Sequence, residues 1–209
     1  MRYILLILIF YTLSMLVSRA ITKWIRGNIG LTVLRVSLAY CPYLFIFIFI
    51  PLPDFSFSLN LPLTLASILM GLALIGLDYK NFLYGIKKEY AFMNREVSFP
   101  QLFSRASEGI LAPICEEMFF RGIIPLVGGV YQLTISILSI FLFNLSHYFG
   151  NDKSLVYHLK LIAFSLISTA LYMLSHNIIY CILFHIFYNL PYVYANYHRY
   201  FFHQKKEGY

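Results

Sequence analysis

Charge is scarce in this chain. Of 209 residues, nine are Asp or Glu and sixteen are Lys or Arg, so charged side chains make up 12% of the whole while hydrophobic ones make up 60%. An ordinary soluble domain carries about twice that share of charge. Lipid is therefore the solvent for most of the surface. Cysteine is equally sparse: Cys41, Cys115 and Cys181 sit in apolar stretches without disulfide or paired metal-ligand spacing, which leaves them as packing residues. There is no internal repeat, low-complexity tract or linker that would divide the chain, and no polar stretch long enough for a separate soluble domain. The net charge of +7 would otherwise suggest nucleic acid. The basic residues, however, cluster in short connections between apolar runs, and that distribution speaks for membrane topology and against nucleic-acid binding.

What is present is a series of apolar runs. A bilayer core about 30 Å thick takes roughly 20 apolar residues per helix. Runs bounded by charge or by Pro/Gly signals predict spans near residues 3–17, 34–52, 61–77, 102–126, 131–149, 155–174 and 178–197. The expected fold is all-α: a polytopic transmembrane helical bundle of seven spans, or eight if the connection at 78–100 hides another, with a polar cavity among the last four. One membrane domain covers residues 1–209, with peripheral spans and a surface segment in 1–100, a core bearing the polar residues in 101–197 and a tail in 198–209. The first run is read as a span because Leu16-Val17-Ser18-Arg19 lacks a small-x-small cleavage site. The stretch 78–100 mixes Lys80, Lys87, Lys88, Glu89, Arg95 and Glu96 with Phe82, Tyr84, Ile86, Tyr90 and Phe92, a composition suited to lying along the membrane surface. Arg19, Lys23 and Arg26, then Lys80 to Arg95, Lys153, and finally Arg199, Lys205 and Lys206 fall on one side of such a bundle. Positive-inside bias then places the amino terminus outside and the carboxyl terminus in the cytoplasm of a multi-pass cell-membrane protein.

Three ionisable residues interrupt the fourth run. A charged side chain at the centre of a span costs about 2.5–3.5 kcal/mol on insertion scales, so such residues face protein or a water-filled cavity. In Ala112-Pro113-Ile114-Cys115-Glu116-Glu117-Met118-Phe119-Phe120-Arg121-Gly122, the spacing of four puts Glu117 and Arg121 on one helical face in the favourable order for an ion pair. Glu116 points about 100° away. One carboxylate is thus neutralised while its neighbour is left for base chemistry in a low-dielectric site. The bland reading makes all three a polar lock between helices, although one Glu suffices to pair Arg121. The fifth run ends in Phe143-Asn144-Leu145-Ser146-His147, and the seventh holds His185-Ile186-Phe187-Tyr188-Asn189, whose His and Asn share a face. Either histidine alone would read as a packing group. Together, three helices deliver to the membrane interior the residue types that activate water and stabilise an oxyanion.

These three strings, Glu116-Glu117-x-x-x-Arg121, Phe143-x-x-x-His147 and His185-x-x-x-Asn189, in this order on successive apolar segments, resemble the motifs of the CAAX protease and bacteriocin-processing (CPBP, or Abi) family of intramembrane glutamate peptidases, relatives of the type II CAAX prenyl endopeptidases. The resemblance spans residues 102–189. It implies that Glu116 and His147 bind and activate a water, that His185 and Asn189 donate to the oxyanion, and that Glu117, Arg121 and Phe143 support them. Arg121 is expected either to hold the helix or to receive a substrate carboxylate. The implied chemistry needs no metal and acts on a membrane-associated peptide or protein, with prenylated tails, bacteriocin leaders and pheromone precursors all within its range.

Rival readings are a zinc peptidase using Glu116, His147 and His185, which lacks a His-Glu-x-x-His string, and a cysteine nucleophile at Cys181, four residues before His185. An immunity or scaffold protein that binds a bacteriocin, sensor kinase or secretion partner belongs to a different class. A transporter would call for inverted repeats and paired broken helices, which the sequence does not display. Arg105 and Glu108 read as an interfacial pair. His158, His176, His198 and His203 read as solvated groups at span ends, and Tyr188, Tyr192, Tyr194 and Tyr197 as an interfacial belt.

Overall fold

The computed structural model describes residues 2–24, 29–87, 97–126, 130–148 and 155–207, and among these every regular element is helical. In a hydrocarbon solvent a helix satisfies its own backbone polar groups, so a chain this apolar has few other choices. The helices are α1 (Arg2–Trp24), α2 (Ile29–Tyr40), α3 (Leu61–Ile75), α4 (Tyr79–Ile86), α5 (Phe99–Phe120), α6 (Val130–Tyr148), α7 (Leu155–Ser175) and α8 (Ile178–Glu207). Among the described residues four segments are long and apolar enough to cross a membrane: Arg2–Ile21, Leu31–Ile48, Leu155–Ser175 and Ile178–Phe202. The protein is an all-helical, multi-pass membrane protein.

Two expected spans change shape. Residues 34–52 form no continuous α-helix: α2 gives way to a 3-10 stretch, Cys41–Ile48. Pro42 explains the switch, because it offers no N–H to the turn before it and disfavours the α conformation at Cys41. The run 102–126 also stops being α-helical early, at Phe120, and continues through a turn into the short 3-10 segment Ile124–Leu126. Pro125 restricts Ile124 in the same way. Gly122 makes the turn: its N–H donates to the Glu117 and Met118 carbonyls at 3.2 and 3.1 Å, and a Cβ there would strike the Met118 carbonyl oxygen and the Pro53 ring. In the connection at 78–100, α4 is eight residues long, about 12 Å, too short to cross. Residues 88–96 lie outside the described residues, as do Arg26 and Lys153.

α8 is the central element, packed against α3, α4, α5 and α7. Its approach to α3 depends on Gly71, where a Cβ would collide with the Phe184 backbone. Its start is clamped by the segment after the 3-10 stretch. Asn177 donates to the Ser56 carbonyl at 2.8 Å and accepts from the Ile179 N–H at 3.1 Å, the Ile178 N–H donates to the Asp54 carbonyl at 3.2 Å, and the Asn60 N–H donates to Tyr180 Oη at 2.6 Å. These bonds satisfy donors that a helix start leaves without intrahelical partners. They also set the height at which the next two turns of α8 present their side chains.

Candidate active site

The adjacent glutamates of α5 face different surroundings. Glu117 and Arg121 are both fully buried, with Arg121 Nη1 3.4 Å from Glu117 Oε1 and Nε 3.3 Å from Oε2, the second a Coulombic contact without hydrogen-bond alignment. Two serines on α7 complete the pair: Ser165 Oγ accepts from Arg121 Nη2 at 2.7 Å, and Ser168 Oγ donates to Glu117 Oε2 at 2.6 Å. The guanidinium carbon lies 4.6 Å from the Phe143 ring centroid. A desolvated cation–π contact of this kind contributes about 2 kcal/mol. Removing one partner of such a buried pair costs about 3–5 kcal/mol, so this cluster ties α5, α6 and α7 together.

His185 joins that cluster to the other glutamate. Its Nδ1 is 2.7 Å from Glu117 Oε1, and its Nε2 is 4.0 Å from Glu116 Oε2. The imidazole stands edge-on to Phe164 and Phe143, at centroid distances of 4.6 and 6.1 Å. Those contacts leave the ring little room to turn.

Glu116, His147, His185 and Asn189 line one cavity of about 230 Å³ between α5, α6 and α8, with Tyr40 and Tyr192 on its wall and Arg105 and Glu108 at its mouth. By the expected span edges, Glu116 and His147 would differ in height by about 10 Å. Register and side-chain direction close that gap. Ser139 Oγ donates to the Phe120 carbonyl, left without a helical partner where α5 ends, so Glu116, one turn earlier, is level with Phe143. His147 lies one turn further along α6, and helical side chains lean back towards the amino terminus. Its ring accordingly folds onto Phe143, centroids 4.7 Å apart, with Nδ1 2.9 Å from the Phe143 carbonyl oxygen.

Phe143 is the shared wall. Fully buried, it touches the rings of His147, Phe120, Phe164 and His185 and the Arg121 guanidinium. His147 also borders two further cavities. One, between α1, α2, α5 and α6, includes Arg19, Tyr43, Arg105 and Glu116; the other, between α6, α7 and α8, is dominated by Phe143, Tyr157, Leu161, Phe164, Tyr188 and Tyr192.

The secondary expectations fare differently from one another. Arg121 has no exposed surface and is held by Glu117, Ser165 and Phe143, so it has no face to offer a substrate carboxylate. Cys181 is buried on the α7 side, its thiol donating to the Ser168 carbonyl at 3.2 Å, and does not border the cavity. Arg105 and Glu108 do pair, at 3.0 Å, but Arg35 of α2 joins them 3.6 Å from Glu108. His158 is not simply solvated: its Nδ1 is 2.7 Å from Asn144 Oδ1, and its carbonyl accepts from Asn144 Nδ2 at 3.1 Å. The tyrosines divide, with Tyr188 and Tyr192 lining cavities and Tyr194 and Tyr197 half exposed. Ser165 and Ser168 escaped sequence reasoning, since serines are common in membrane helices. Their spacing of three, facing an ionised pair, is the signal that could have marked them. Among the described residues no three His, Cys, Asp or Glu side chains are grouped to hold a metal ion.

Residues 99–191 match the family model described as "Type II CAAX prenyl endopeptidase Rce1-like". The matched stretch covers somewhat less than half of the chain and contains Glu116, Glu117, Arg121, Phe143, His147, His185 and Asn189. It bears out the resemblance read from the three motifs. Comparison with curated proteins and with solved structures returns no match.

Proposed function

From a chain whose residues 99–191 are similar to the Rce1-like endopeptidases, we propose an intramembrane endopeptidase that hydrolyses a membrane-associated peptide or protein. Glu116 and His147 hold and activate the water, while His185 and Asn189 face the carbonyl oxygen. The single observation that carries this reading is the meeting of those four side chains, from α5, α6 and α8, around one cavity of about 230 Å³. One preorganised donor to an oxyanion is typically worth about 2.7–4 kcal/mol in the transition state. Glu117, Arg121 and Phe143 support the site from its dry side.

In this reading α1, α2 with its 3-10 extension, α3, α5, α6, α7 and α8 are seven spans, with α4 at the surface. The basic connections then lie on the cytoplasmic side. The aromatic cavity between α6, α7 and α8 receives an apolar part of the substrate, and the more polar cavity beyond Glu116 admits water.

The test compares membrane-associated peptides from cells carrying wild type, Glu116→Ala and His147→Ala at equal protein levels. Accumulation of the same uncleaved species in both variants is the expected outcome. An unchanged peptide profile in both, with the biological effect retained, would replace hydrolysis with a binding role.

A further inference from the structure

The hydrogen-bond partners of the two site histidines constrain where their protons sit. Glu117 lies against the Arg121 guanidinium and already accepts from Ser168, so it is an ionised acceptor. The 2.7 Å contact to His185 therefore places a hydrogen on Nδ1. His147 Nδ1 is 2.9 Å from both the Phe143 carbonyl oxygen and Ser146 Oγ; with the Ser146 hydroxyl donating to that same carbonyl at 2.7 Å, a hydrogen on Nδ1 satisfies both contacts. In each neutral ring Nε2 then carries a lone pair. Such a ring can accept from water but cannot donate to an oxyanion.

Charge adds a second constraint. Glu116, Glu117 and Arg121 are 7%, 0% and 0% exposed, and with both carboxylates ionised they sum to one negative charge. An unbalanced buried charge is penalised by several kcal/mol, and one further proton balances it. That proton has two adjacent sites, Glu116 Oε2 and His185 Nε2, 4.0 Å apart. This is too far for a direct hydrogen bond, but a single oxygen lying about 2.8 Å from each can bridge them. The other ionisable groups facing the pair are Tyr40 and Tyr43 from α2 and its extension, Arg19 from α1, His147 from α6, Tyr192 from α8, and Arg105 with Glu108 at the mouth. Arg19 and Arg105 are exposed, and Arg105 is already paired with Glu108, so the inner balance is set among the buried groups.

We infer that Glu116 and His185 share one proton through a water oxygen bridging them, and that Glu117 is the positioning residue that holds His185 in the tautomer this exchange needs. Its catalytic use rests on the endopeptidase reading above. With the proton on His185, Glu116 is a carboxylate and Nε2–H is a donor. As the water oxygen bonds to the peptide carbonyl carbon, one of its protons passes to Glu116, and the carbonyl oxygen, now an oxyanion, accepts from His185 Nε2–H. Glu116 then gives its proton to the departing amide nitrogen as the C–N bond breaks. The second water proton leaves with the new carboxyl group and ionises to solvent, while His185 keeps its own. With the proton on Glu116 instead, the base and the donor are both lost. One proton's position thus decides whether the two roles exist together.

Nuclear magnetic resonance of the full chain, labelled with 15N-histidine and held in lipid nanodiscs, tests this without any substrate. His185 is assigned by the signals that disappear in His185→Gln. The expected result is a protonated Nδ1 in wild type at neutral pH, accompanied either by a protonated Nε2 or by an infrared carboxylic-acid band that Glu116→Gln removes. Glu117→Gln should lose the Nδ1 signature, whereas Glu108→Gln should keep it. A neutral His185 carrying its hydrogen on Nε2, or a neutral His185 with no acid band from Glu116, would overturn the inference. If Glu117→Gln does not fold, the wild-type tautomer and the acid band still decide. Cleavage lost in Glu116→Ala alongside the wrong tautomer would sink only this inference, and the right tautomer with peptide processing intact in Glu116→Ala would sink only the endopeptidase reading.

Discussion

The two flanks of α5 differ in what surrounds a carboxylate. Towards α7, Glu117 has no exposed surface and is met by Arg121, Ser168 and His185, while Ser165 and the Phe143 and Phe164 rings enclose the guanidinium it pairs with. Towards α2 and the end of α6, Glu116 opens on a cavity with tyrosines on its wall and a charged mouth. Residue type is the same and sequence separation is one. Position on the helix alone separates a carboxylate enclosed by hydrogen-bonding partners from one that opens on a cavity.

Removing the carboxylate on the cavity should show the largest effect. Glu116→Gln is expected to lower peptide cleavage by about 10²–10⁴-fold, the usual contribution of a general base, while the thermal unfolding midpoint in detergent hardly moves. A large drop in midpoint would erase the contrast between the flanks. The converse holds for Arg121→Met, which leaves Glu117 buried without its guanidinium: about 3–5 kcal/mol of stability should be lost, read from unfolding in mixed micelles. Trimming one hydrogen bond to the same carboxylate in Ser168→Ala should cost about 1.5–3 kcal/mol and leave cleavage by the surviving folded protein near normal. Gly109→Ala probes the cavity side, because a Cβ there meets Val193 of α8 well inside contact distance. Repacking should cost about 1–3 kcal/mol and raise KM more than it lowers kcat. The smallest change is expected in Cys181→Ser, whose hydroxyl can donate to the same Ser168 carbonyl; full cleavage activity and stability within about 1 kcal/mol would separate it from every residue bordering the cavity.

Lipid makes some features of this protein easy to read and hides others. Glu116, Glu117, Arg121, His147, His185 and Asn189 stand out because hydrocarbon penalises each of them, and helical spacing of four already sorts Glu117 with Arg121 and His185 with Asn189. Tertiary partners carry no such mark. Ser165 and Ser168 look like any membrane serines, and Arg35 looks like one more interfacial cation until Glu108 is seen opposite it. Helix ends are obscured for a different reason. From Phe120 to Leu126 hydropathy stays high whether the backbone is helix or tight turn, because protein packing replaces water as the environment of the freed groups. Gly122, Pro125 and Pro42 were the available clues, and each coincides with a departure from α geometry. Height matching between Glu116 and His147 could not come from span edges, since it is set by one serine bonded to one carbonyl at the end of α5.

The composition of α5 bears on how the protein is made. With Glu116 and Glu117 in its second half and Arg121 just past its end, α5 is not among the described helices long and apolar enough to cross a membrane, whereas α7, which supplies Ser165 and Ser168, is. A nascent α5 released sideways into lipid would be stranded without partners for more than thirty residues of further synthesis. Its entry is therefore expected to wait for α7 and α8, and a ribosome stalled before Ser165 should leave α5 extractable from the membrane while α1 and α2 are already embedded.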